Sequence, residues 1–306
     1  MGEDLDITVQ YEDSTPVIMA PMIPVDVEEG IRELDINTRG SVVSRFSGHS
    51  SNSGSSCSTT PRPCVFVAGL GQKVDYGLSS HDLMSYFGKE IREHAPCCSS
   101  IQYIELATNL YGWYDEILAQ RLVSLLVQVS STSDASTGTV LDTIIFAHSM
   151  GNNMLANAIA NGHCSLDSST TWIAASAPMG GSMGSDFIQM ACSGKLTGVV
   201  SSLLHLFDEC PVTAGRLALA YQTGSYASPE LVAAYTAAQV AYAENVHAVM
   251  CSKSYTGRSS VIEVAYILAG KTVPHKSRQN DGIVEYASCA KGLPAEPFAS
   301  STGDKY

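Results

Sequence analysis

Ile144-Ile145-Phe146-Ala147-His148-Ser149-Met150-Gly151 is an apolar run that stops abruptly at a serine between small residues. The β-branched and aromatic residues predict a buried strand. The Ala-rich stretch 152–161 that follows predicts a helix. Only a sharp turn joins them, and Ala147 and Gly151 are small enough for one. Working outward, Cys64-Val65-Phe66-Val67-Ala68 is a second short apolar run, ended by Gly69-Leu70-Gly71. Strands are expected at 101–106, 139–147, 171–177 and 261–268. Helices are expected at 79–94, with Ser79 and Asp82 as a capping box, and at 113–130, with Leu118, Leu122, Leu125 and Leu126 on one side. Strands alternating with helices specify the α/β class, a mostly parallel, doubly wound sheet covered on both faces.

Two segments fall outside that alternation. Residues 1–62 are expected to be irregular, ending in a linker around Ser50-Ser51-Asn52-Ser53-Gly54-Ser55-Ser56. Residues 63–306 form the folded domain. Within it, about 180–260 is too long for a loop and carries helical signals, including Ser228 before Pro229, so it is expected to be a helical cap. Gly180-Gly181-Ser182-Met183-Gly184 would be its flexible hinge. Asp186, Asp208 and Glu209 would be solvated cap residues.

Composition narrows the function classes. The 306 residues are 45% hydrophobic and 15% charged, with a net charge of −13. An acidic surface repels phosphate backbones, which argues against nucleic acid as a partner. No apolar run reaches the ~18 residues of an integral membrane span. Met1-Gly2-Glu3-Asp4 offers neither the basic nor the apolar region of a signal peptide. Nine cysteines without zinc spacing read as disulfides of a secretory or secreted protein, or as buried free thiols of a cytoplasmic one. Pairs such as Cys57 with Cys64, and Cys97 or Cys98 with another, are open. The odd count leaves one thiol over. No metal site or organic cofactor is implied.

Three motifs carry chemistry. The turn around Ser149 is the strand-serine-helix pattern G-x-S-x-G with Ala in first place. It lifts a hydroxyl above the sheet and puts a helix N-terminus under any developing oxyanion. Gly69-Leu70 follows an earlier strand, where a second oxyanion amide can arise. Asn280-Asp281-Gly282-Ile283-Val284 supplies a carboxylate later in the chain. Together, A-G-L-G, A-H-S-M-G and N-D-G-I-V resemble the α/β-hydrolase superfamily, and within it the lipase-like serine ester hydrolases, over residues 63–290. The resemblance implies Ser149 as nucleophile, Asp281 as triad acid, the Leu70 and Met150 amides as oxyanion donors, and Ala147 and Gly151 as the small residues of the elbow. The substrate would be a small-molecule or lipid ester. Two positions depart from the family pattern: Ala68 stands where it has His, and Asn152 where Gly or Ala is common.

The family's base is a histidine after the acid, and no histidine follows Asp281. Three readings stay open. The chain is truncated and the base lies in a lost tail, which could also hold a tenth cysteine. Or His275, otherwise a solvated loop residue, is recruited as base from upstream. Or the protein is a catalytically inactive α/β-hydrolase scaffold that binds a ligand or partner. His148 is expected to turn away from Ser149 and serve in packing and hydrogen bonding.

Overall fold

The computed structural model describes residues 34–37, 41–44, 57, 59–88, 91–193, 210–255 and 261–294. In chain order the elements are β1 (Leu34–Asn37), β2 (Ser41–Ser44), β3 (Arg62–Val67), β4 (Gly77–Ser79), α1 (Ile91–His94), β5 (Cys98–Glu105), α2 (Glu116–Leu126), β6 (Thr139–Val140), β7 (Ile144–His148) and α3 (Met150–Ala160). Then come β8 (Ser165–Leu166), β9 (Thr171–Ala175), α4 (Met183–Cys192), α5 (Ala214–Leu217), α6 (Pro229–Asn245), β10 (Ala248–Met250), α7 (Val261–Thr272) and α8 (Tyr286–Cys289).

Six strands form one sheet in the order β10-β9-β7-β3-β5-β4, and every neighbouring pair is parallel except β4 with β5. The α/β architecture with a mostly parallel sheet is therefore as the apolar runs predict. Alternate residues of the central strands go to opposite faces. Val65, Val67, Ile145, Ala147, Trp172 and Ala174 meet α2, α3 and α6. Cys64, Phe66, Ile144, Phe146 and Ile173 meet Tyr86, Phe87 and Ile91 on the other face. There Phe66 lies between Phe87 at 5.3 Å and Phe146 at 5.3 Å.

Three expectations are corrected. The run 261–268 is helical, the start of α7, rather than a strand. Short apolar runs are ambiguous between the two states. Here the chain stays helical to Thr272, and Ala269 and Val273 pack on Met183 and Phe187 of α4. The sixth strand is instead β10, inside the stretch expected to be a cap, and α6 is the helix that precedes it and packs on the α3 side of the sheet. The expected helix at 79–94 is reduced to α1. Asp82 accepts from the amides of Tyr86 at 2.7 Å, Phe87 at 2.6 Å and Gly88 at 3.2 Å, so its carboxylate closes a loop instead of opening a helix. Most of 1–62 lies outside the described residues, and so do Asp208 and Glu209. Of the described pieces of 1–62, β1 and β2 pair antiparallel, Cys57 is bonded to Cys97, and Arg62 opens β3. Among the described residues no helix is long and apolar enough to cross a membrane.

The cysteines pair as Cys57–Cys97, Cys64–Cys98, Cys192–Cys210 and Cys251–Cys289. Cys57 with Cys64, the pair suggested by proximity in sequence, does not form, because β3 lies beside β5 and carries Cys64 to Cys98. Four cross-links in one chain are the pattern of secreted and secretory-pathway proteins. Loops of 18 to 40 residues make each worth about 3 to 4 kcal/mol on a chain-entropy view. The ninth cysteine, Cys164, is a core residue packed beneath the α3 face, and burial pushes its thiol up to about 12. A partner in a missing tail is not needed to account for it. Thiol titration without reductant should therefore count one thiol per chain in denaturant and none in the native state. Three or more thiols in denaturant would contradict the pairing.

Candidate active site

The centre of the site is the junction between β7 and α3. Ser149 sits there at φ 50° and ψ −130°, outside both the strand and the helix region. A non-glycine residue with positive φ is costly and is kept only where its surroundings enforce it. The enforcement is visible. The Ser149 amide donates to Ala175 O of β9 at 2.9 Å. A Cβ at Gly151 would come within 2.9 Å of both the Val67 and Ala68 carbonyls, so only glycine lets the helix start that close to β3. Ala147 is fully buried in the interior of the sheet. The Ser149 hydroxyl makes no capping bond to its own helix. Met150 is the first helical residue, so its amide is among those that intrahelical carbonyls cannot reach.

A second turn faces this one. A Cβ placed on Gly69 would fall 2.8 Å from the Ser149 Cβ and 2.7 Å from the Tyr86 hydroxyl. Gly69, in the turn after β3, thus lies directly against Ser149, and Leu70 follows it. Thr108 fixes this turn from the end of β5, accepting from the Gly71 and Gln72 amides at 3.1 and 3.2 Å and donating to Gly69 O at 3.0 Å. His148 turns to the opposite face of β7, as expected. Its Nδ1 bonds the Tyr86 hydroxyl at 2.8 Å, and burial depresses its pKa to about 4, so the ring is neutral at pH 7. Tyr86 is held in turn by Asp82 and by the loop it closes, which Glu105 anchors by accepting from Leu83 and Met84, each at 3.1 Å. Burial, and then the charge of Asp82, raise the Glu105 pKa.

Asp281 lies at the far end of β9. Its Oδ1 accepts from the Ile283 amide at 2.9 Å and the Val284 amide at 2.7 Å. Burial raises its pKa, the two amides oppose that, and Ser176 and His275 are close enough to act on it. Ser176 directly follows β9, the strand beside Ser149. A Cβ on Gly282 would fall 2.8 Å from the Tyr266 carbonyl, so the turn that bears Asp281 packs closely on α7. The 180–184 run is buried rather than a flexible hinge: Ser182 Oγ donates to Ile283 O at 2.6 Å, and Gly180 N donates to Ser288 Oγ at 3.0 Å. Asp186 is likewise buried, not solvated, and accepts from the Tyr221 amide at 2.8 Å.

His275 corrects the sequence reading most sharply. It is not solvated; its side chain is 4% exposed. Nδ1 lies 2.7 Å from Glu285 Oε1 and Nε2 lies 3.2 Å from Gly282 O. A carbonyl can only accept, so Nε2 carries a proton and cannot take one from a serine in this arrangement. Among the described residues no group of three or more His, Cys, Asp or Glu side chains could hold a metal.

Sequence reasoning passed over the residue with the densest contacts. Asn152, noted only as a departure, is fully buried. Its Nδ2 donates to Ala147 O at 2.9 Å, Ser149 O at 3.1 Å and Ala175 O at 3.2 Å, while its Oδ1 accepts from the Trp172 indole N–H at 3.1 Å. The available signal was three amide side chains, Asn152, Asn153 and Asn157, in a helix otherwise made of small and apolar residues. Asn152→Asp should be more damaging than Asn152→Ala, because it turns an acceptor toward three carbonyls. Urea unfolding should give losses of about 3 to 5 and about 1 to 3 kcal/mol respectively. Asp281→Asn keeps the Oδ1 acceptor and removes a buried charge. The raised pKa of Asp281 favours folding below the ordinary carboxylate range near 4, and that contribution is lost as pH rises through the folded value. The variant should therefore gain stability relative to the parent as pH goes from 4 to 8; a difference that does not change with pH would refute this.

No family model matches the chain, and no curated protein matches it. Among solved structures, Bacillus licheniformis lipase BlEst2 in its mature form is similar at a TM-score of 0.45 and 13% identity, over 83% of this chain and 86% of that one. Its propeptide form is similar at 0.43 and 15%, over 77% of this chain and 45% of that one.

Proposed function

We propose that the protein is a serine hydrolase of the α/β-hydrolase type that acts on carboxylic esters, lipid esters included, through an acyl-enzyme. The observation that carries this reading is the strained Ser149 elbow pressed against the Gly69 turn, with the Met150 amide at a helix N-terminus beside it. Strain of this kind is kept where it serves a site. Ser149 would attack the ester carbonyl. The Leu70 and Met150 amides would hold the oxyanion, and water would release the acid. Asp281 would be the triad acid, and its buried turn beyond β9 suits that role.

The ring nitrogens of His81, His148 and His275 bond Ser80, Tyr86 and the Glu285–Gly282 pair. That observation favours a second reading, a scaffold that binds a ligand without turning it over. Treatment with a fluorophosphonate followed by peptide mass spectrometry separates the two. Modification of Ser149, and hydrolysis of p-nitrophenyl butyrate that disappears in Ser149→Ala, are expected of the hydrolase. An unlabelled Ser149, with no hydrolysis above that of Ser149→Ala, would leave the scaffold.

A further inference from the structure

His275 and Glu285 are two ionisable side chains buried together, at 4% and 0% exposure, and neither has a task in the hydrolase reading. Burying such a pair contributes little net stability compared with apolar packing, so a role in geometry is the better account of it. Their placement supplies one. His275 precedes the turn that bears Asp281, and Glu285 ends it. One imidazole reaches both Gly282 O, next to Asp281, and Glu285 Oε1. Within that span Asn280 and Glu285 form an antiparallel bridge, and the Asp281 amide donates to Val284 O at 3.0 Å. The Ile283 and Val284 amides, which donate to the Asp281 carboxylate, thus lie between the two points gripped by the ring.

We propose that the His275–Glu285 pair is a clamp that sets the orientation of the Asp281 carboxylate, so that both are positioning residues and His275 is not the base. Nε2–H donates to the Gly282 carbonyl. The Nδ1 bond shares a single proton with the Glu285 carboxylate. The catalytic consequence rests on Asp281 being the acid; the clamp itself does not.

Hydrogen exchange on the full chain tests the clamp. His275→Ala and Glu285→Ala should each speed exchange of the Ile283 and Val284 amides about tenfold, with α3 amides unchanged. His275→Gln keeps an N–H for Gly282 O and should bring exchange back to within about threefold of the parent. Equal acceleration of α3 amides, no change at 283 and 284, or no rescue by glutamine would each overturn the clamp. If His275→Ala does not fold, Glu285→Ala compared with His275→Gln decides the same point. With p-nitrophenyl butyrate, the alanine variants should lower kcat about tenfold and leave KM in place. Faster exchange at 283 and 284, with kcat unchanged in both the clamp variants and Asp281→Asn, would keep the clamp and remove Asp281 from the reaction.

Discussion

Four hydrogen bonds to one side chain tie the centre of this molecule together. Asn152 donates to the Ala147 carbonyl near the end of β7, to the Ser149 carbonyl, and to the Ala175 carbonyl that ends the neighbouring strand, and it accepts from the indole N–H of Trp172. Strands that end beside a tight turn leave carbonyls pointing into a dry interior, and each unpaired one costs about 1 to 3 kcal/mol. A hydrophobic residue at 152 would fill the space but take the acceptor from the Trp172 indole N–H and leave Ser149 O and Ala175 O with only their backbone donors. The position of Ser149, and of everything that faces it, follows from this satisfied junction between β7, β9 and α3.

From that junction the site extends in two directions, each as a chain of buried polar contacts. One runs from Glu105 and Asp82 through their loop to Tyr86, and from Tyr86 to His148 and the Gly69 turn. The other runs from the end of β9 through Ser182 to Ile283 and the Asp281 turn. Neutral groups make most of the contacts near Ser149, and the carboxylates lie at the outer ends. A low-dielectric interior strengthens such networks when they are complete and penalises gaps in them.

The sheet and the strand-turn-helix at Ser149 were legible because they rest on local pattern. An apolar run closed by small residues can be read from Ile144 to Gly151 without knowledge of its neighbours. The same holds for Cys64 to Gly69. What could not be read rests on partners distant in sequence. Val261 to Leu268 is β-branched enough for a strand, and it is the start of a helix that continues to Thr272, where Ala269 and the following Val273 pack on α4. Ala248 to Met250 is too short to signal a strand, and becomes one because β9 offers a free edge. His275, beside Lys276 and Arg278, reads as a surface residue until Glu285, ten residues on, draws it inside.

The sheet also ends in a particular way. Its outermost strands, β4 and β10, are three residues each, while β5 in the interior has eight. β4 runs antiparallel to the rest, and β10 is followed at once by Cys251, bonded to Cys289. A short border offers an approaching chain few backbone groups to pair with, and a covalent link beside it hinders the strand from peeling away. A protein with a wide, strongly apolar parallel sheet is by that means a poor template for fibril growth, without placing charges along its edges.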